Sequence, residues 1–64
     1  MEQHSFKLEL PSSTSFAAAQ AAALEQIVIP HMVQTGRNSY ADLSMLGSRP
    51  TTGGMSAFTG TYKL

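Results

Sequence analysis

The sequence predicts a small α+β fold: an N-terminal strand, an Ala-rich central helix with a proline kink, a short second helix, and an extended C-terminal arm ending in a strand. Three observations predict it. Phe6, Leu8 and Leu10 alternate with Ser5, Lys7 and Glu9, the period of a half-buried strand. Ser13–Gly36 is the only long apolar run, and from Phe16 to Leu24 it is mostly Ala, the residue that gives up least on becoming helical. Ala57–Leu64 recovers period two, with Phe58, Tyr62 and Leu64 on one side and Thr59, Thr61 and Lys63 on the other.

The first strand covers His4–Leu10, and Pro11-Ser12-Ser13 makes the turn that ends it. Thr14 or Ser15 then caps the central helix, a hydroxyl there accepting from the free N–H groups of the first turn. Pro30 has no N–H and biases Ile29 away from the helical region, so the helix is expected to end or kink there. Ile27-Val28-Ile29 is β-branched and fits a short strand as well; the preferred reading is helix through Ile29, then a kinked turn through His31 and Met32. Gly36 is the stop if the helix survives the proline.

At about 100° per residue, Phe16, Ala23 and Ile27 share one face of this helix, with Leu24 and Val28 beside it. Gln20 interrupts that face, and the Ala-rich remainder makes the other faces apolar as well. The pairs Ala17/Ala21, Ala18/Ala22 and Ala19/Ala23 would let another backbone approach closely. A helix apolar nearly all round is normally buried on several sides, and so short a chain has little to bury it with.

Gly36–Gly47 reads as the second helix. Ser39 and Asp42 have capping-box spacing, Tyr40, Leu43 and Leu46 fall three apart, and Gly47 supplies a stop. Ser48–Ser56 has several breakers and nothing to pack, so it reads as a loop. Residues 1–47 are therefore expected to form a strand–helix–helix unit, and residues 48–64 a loop and extended arm.

Sixty-four residues make at most one domain, near the lower limit for independent folding. There is no Cys, hence no disulfide framework and no thiolate metal site. Formal net charge 0 argues against a general nucleic-acid binder. Charged residues are 12% of the chain, against about 25% in an ordinary soluble domain, which points to life inside an assembly. Gln20, Glu25, Gln26 and His31 interrupt the apolar run, so it does not read as a membrane span. It has no basic leader and lies too far from Met1 for a signal peptide. The sequence selects no compartment; the cytoplasm and the interior of a particle are both compatible with it.

Motifs for chemistry are missing. Gly53-Gly54 follows Thr51-Thr52 with no Lys at phosphate-loop spacing, and His4 and His31 are not spaced as metal ligands. His31 reads as a partly buried histidine or a helix-end cation, and Arg37 and Arg49 as solvated surface. No catalytic, cofactor or metal residue is expected, and the chain is not expected to be an enzyme.

The function expected is that of a small structural or interaction subunit of a larger protein assembly, a virion or a multisubunit complex. Its partners would be protein subunits, and self-association is compatible. Phe16, Leu24, Ile27 and Val28 would carry the main contact, and Phe58, Tyr62 and Leu64 would anchor the arm. One alternative is an inhibitor or regulator of a single enzyme, in which Phe6/Leu8/Leu10 and Phe58/Tyr62/Leu64 pair and cover the helix. Another follows from Leu10-Pro11 and Gly36-Arg37-Asn38-Ser39, whose order resembles a ribbon–helix–helix DNA-binding dimer. The long first helix, the short second one and Pro30 depart from that pattern.

Overall fold

The alternating apolar face at Phe6 forms a strand, and the strand needs a partner with the same period. The computed structural model describes Met1–Leu64 and supplies that partner from the far end of the chain. Strand β1 (Gln3–Pro11) runs antiparallel to β3 (Met55–Lys63), from Gln3 opposite Lys63 to Pro11 opposite Met55, with no register break. The other side of β3 pairs antiparallel with β2 (Ala41–Pro50), so the sheet order is β1-β3-β2. The expected C-terminal arm is therefore the central strand. Ala57 and Phe58 point to opposite faces of it, and both are buried. Gly60, which would weaken a lone strand, is what lets this one sit in the middle: Phe6 lies opposite it, and the ring occupies the space a side chain would need.

The N-terminal strand agrees with its expectation; the second helix does not. Gly36–Gly47 gives way to an extended approach and then β2, which carries register breaks between Ala41 and Ser44 and between Met45 and Gly47. Each break inserts an extra residue against β3, and Tyr40, which precedes the strand, and Leu46 are exposed, so the three-residue spacing of Tyr40, Leu43 and Leu46 joins side chains that do not share a face. Leu43 and Met45 face the core, whereas Leu46 is 69% exposed at the second break. Asp42 caps no helix; it adopts a left-handed φ of 54° at the first break and pairs with Lys63 at 3.2 Å. With a strand after Gly36, the frame is not that of a ribbon–helix–helix protein. The expected long loop shrinks to residues 51–54, where Gly53 and Gly54 take the positive φ of a tight turn.

A single joined helix connects β1 to β2. Its first part, α1 (Phe16–Ala23), begins at Ser15, whose hydroxyl accepts from the Ala18 N–H at 3.1 Å. A π-helical turn (Leu24–Val28) follows, then α2 (Ile29–Thr35). Residues 27–33 are thus helical. In place of the expected kink, the wider π turn has the Ile29 N–H bonding to the Leu24 carbonyl, just before Pro30. Widening the turn there accommodates a residue that cannot donate, and the helix continues past it. Gly36 at φ 72° closes the helix, with its N–H on Val33 O and the Arg37 N–H on Met32 O.

The core lies between the helix and one face of the sheet. It comprises Phe6, Ala23, Val28, Tyr62 and Leu64, with Leu8, Leu24, Ile27, Met32, Leu43 and Met45 packed around them. Ala19 and Ala23, both 0% exposed, form the close-approach line expected of small residues, and the backbone they admit belongs to the chain's own sheet. Gln20, which interrupts the apolar face, donates from Nε2 to the Leu43 carbonyl at 3.3 Å and ties the helix to β2. Residues 48–64 are thus integral to the fold and not a separable arm.

Candidate functional site

On the sheet face away from the helix, two cross-strand rows meet. Lys7, Thr59 and Gly47 form one, and Glu9, Ala57 and Arg49 the other. Small residues at Gly47 and Ala57 leave a depression between longer side chains. The result is an open groove of 360 Å³ lined by Lys7, Arg49, Ser48, Thr51 and Thr59 above that small floor. Lys7 and Arg49 have no ion-pair partner, since Lys63–Asp42 is the chain's one salt bridge. The groove can attract a carboxylate or phosphate at the modest strength of solvated charges. Only two titratable groups line it, both cations, so it holds no pair of groups suited to acid–base work.

A second cluster lies between the sheet and α2. His31 Nδ1 is 2.7 Å from the Tyr62 hydroxyl, and the His4 ring stacks on Tyr62 at 5.4 Å while meeting His31 edge-on at 4.7 Å. The chain's two histidines, distant in sequence, thus share one buried tyrosine. Burial pushes the Tyr62 phenol above its ordinary value because the phenolate loses solvation. A folded-state value above the unfolded one means the folded chain keeps its proton longer. That contribution is full below pH about 10 and is lost as pH rises through the unfolded and then the folded value. Tyr62→Phe is expected to cost about 1 kcal/mol at pH 8 through the lost hydrogen bond and to flatten the alkaline fall in Tm. Melting curves from pH 8 to 12 test this; parallel falls in both proteins would assign the alkaline loss to other groups.

The residues expected to bind partners divide in two. Val28, Phe58, Tyr62 and Leu64 are 0–4% exposed and belong to the chain's own core, so in this fold they present no surface. Leu24 and Ile27 are half-buried against the same core. Phe16 alone is open, at 53%, with its ring edge-on to Phe58 at 5.9 Å. The large apolar side chains left outside are Met1, Phe16, Ile29, Val33, Tyr40 and Leu46. Ile29 and Val33 stand one turn apart on α2, and their i, i+4 spacing was visible in the sequence. The contact expected from the sequence follows the Phe16, Ala23 and Ile27 face, and at about 100° per residue Ile29 and Val33 fall on the side away from it.

No group of three or more His, Cys, Asp or Glu comes together as a metal site. No helix is long and apolar enough to cross a membrane. No family model matches this chain, and no curated protein or solved structure is significantly similar to it.

Proposed function

We propose that this chain is a non-enzymatic interaction protein, a small subunit that docks on protein partners within a larger assembly such as a virion or multisubunit complex. One observation carries the reading. Large apolar side chains are about as numerous outside as inside: Ile29 is 42%, Phe16 53%, Leu46 69% and Val33 76% exposed, while only 10 of 64 residues are buried. With 12% of residues charged, little else keeps this surface apart from a partner. The docking surface centres on α2 at Ile29 and Val33, with Phe16 at the other end of the helix. It replaces the Val28 and Phe58 contacts expected from the sequence.

The test is cross-linking mass spectrometry on the native source, followed by Ile29→Glu/Val33→Glu. The double variant is expected to reduce recovery of the cross-linked partner at least about tenfold, the equivalent of about 1.4 kcal/mol. Its stability should fall only modestly, because Val33 is 76% exposed and Ile29 42%. A chain that sediments in native extract as a free 6.8 kDa species would oppose the proposal.

A second reading, the inhibitor or regulator of one enzyme, is favoured by a different observation: β1 and β3 pair in full and the helix packs on them, so the chain builds a core from its own elements. Recovery of a single enzyme at one-to-one stoichiometry would select it over the assembly subunit.

A further inference from the structure

We propose that β1 is a dimerisation edge, at which a second copy of this chain adds its own β1 antiparallel about a two-fold axis that sets Leu8 opposite Leu8. This is independent of the helix-face reading above and rests on the open margin of the sheet. The two edges, β1 and β2, are built differently. β2 carries two register breaks and ends at Pro50, features that turn an edge away from further pairing. β1 is regular over all nine residues. Its ladder with β3 determines which groups stay free. Glu2 and Leu64 exchange both backbone hydrogen bonds, at 2.8 and 3.0 Å. Even-numbered residues therefore bond to β3, and Gln3, Ser5, Lys7 and Glu9 aim their N–H and C=O groups at the open edge.

A long regular edge is a template for another strand, and the side chains select which one. With Leu8 on the axis, Lys7 lies opposite Glu9 of the second copy, twice over. Both residues are of the outward-bonding set, so the two pairs exchange four backbone hydrogen bonds. On the outer face Lys7 and Glu9 of the two copies then alternate in sign around a square. On the helix face Leu8 meets Leu8 and Phe6 meets Leu10, which continues the apolar row. That row is unfinished in the single chain: Leu8 and Leu10 are only half-buried, and α1 approaches β2 more closely than β1.

Neighbouring registers lose these matches. An axis at Lys7 or at Glu9 sets like charges against each other, and an axis at Phe6 sets Leu10 against Glu2 and Leu8 against His4. Neither Lys7 nor Glu9 has an ion-pair partner inside the chain. Pro11, whose nitrogen faces the open edge, ends the intermolecular ladder.

Sedimentation equilibrium of the full chain from micromolar to millimolar concentration should show monomers and dimers. Lys7→Glu and Glu9→Lys each turn two opposite-charge pairs into like-charge pairs and are expected to raise the dissociation constant at least about tenfold. Combining them restores the pairing in mirror order and should bring the constant back to within about threefold of the original. Both positions are exposed, and circular dichroism checks that each variant is folded. The chain has no Cys, so Leu8→Cys reads the register directly. Two-fold pairing would bring those Cα atoms to about 4.5 Å, within reach of a disulfide. Mild oxidation should then give a covalent dimer, with Ser5→Cys, which faces Pro11 of the second copy, much slower. A wild-type chain monomeric at millimolar concentration overturns the proposal. So does a dimer that the single charge variants leave unchanged or that the double variant fails to restore. Dissociation by Val33→Glu without dissociation by the charge variants would assign the dimer to the helix face and overturn it as well.

Discussion

Gly60→Ala is expected to remove a large part of the protein's stability. A methyl group built on Gly60 would sit 2.5 Å from Phe6 Cζ and closer still to the Ser44 carbonyl oxygen. The first neighbour is a core ring and the second is backbone of the adjacent strand, so neither can swing away. Overpacking where neighbours can yield costs about 1–3 kcal/mol, and the backbone contact puts this case at about 3 kcal/mol or above. A domain of this size has a total stability of roughly 3–10 kcal/mol. Thermal melts should show Tm lowered by more than about 12 °C. Shrinking the ring with Phe6→Leu in the Gly60→Ala background should recover only part of this, because the Ser44 carbonyl still blocks the site. A fall below about 5 °C would show that the sheet spreads easily at this point.

Removing residues 55–64 is expected to abolish the fold. Viewed as an arm, this segment could be lost with the helix content nearly unchanged. As the central strand, it is the sole partner of both β1 and β2 and carries Phe58, Tyr62 and Leu64 into the core. The helix left behind would lose the surface against which Ala19, Ala23 and Val28 are buried, and isolated helices of such length are marginal in water. Far-UV circular dichroism of the truncated chain should therefore lose most of its helical signal, not just its strand signal. Retention of the full helical signal would contradict the role given to β3.

What the sequence made legible was local. The alternation at Phe6, Leu8 and Leu10 and the hydroxyl cap before Phe16 are patterns written within one element, and both are present as expected. The two misread segments depend on contacts beyond their own stretch. The spacing of Tyr40, Leu43 and Leu46 mimics a helix although only Leu43 of the three faces the core: its inward partner is Met45, two residues on, and which residues face inward is defined only against β3. The arm misreading has the same origin: the alternation of Phe58, Tyr62 and Leu64 was visible, but not that it lies between two other strands. Pro30 misled through a general rule that a π turn locally overrides. For the candidate surface, Phe16 is exposed, whereas the other residues of its expected face turn towards the chain's own sheet and the exposed Ile29 and Val33 lie on the side of the helix away from that face.

The position of β3 also governs how the chain reaches its native state. Every β1–β3 pair joins residues from opposite ends of the described chain, from Gln3 with Lys63 to Pro11 with Met55. The helix and the β2–β3 hairpin can form from neighbours, but β1 has no strand to join until the loop across the whole intervening segment closes. Such non-local pairing slows folding, because the closure entropy is lost before any contact repays it. β1 is therefore expected to be the last strand to join the sheet, and until then Phe6, Leu8 and Leu10 would remain in water with both edges of the strand open.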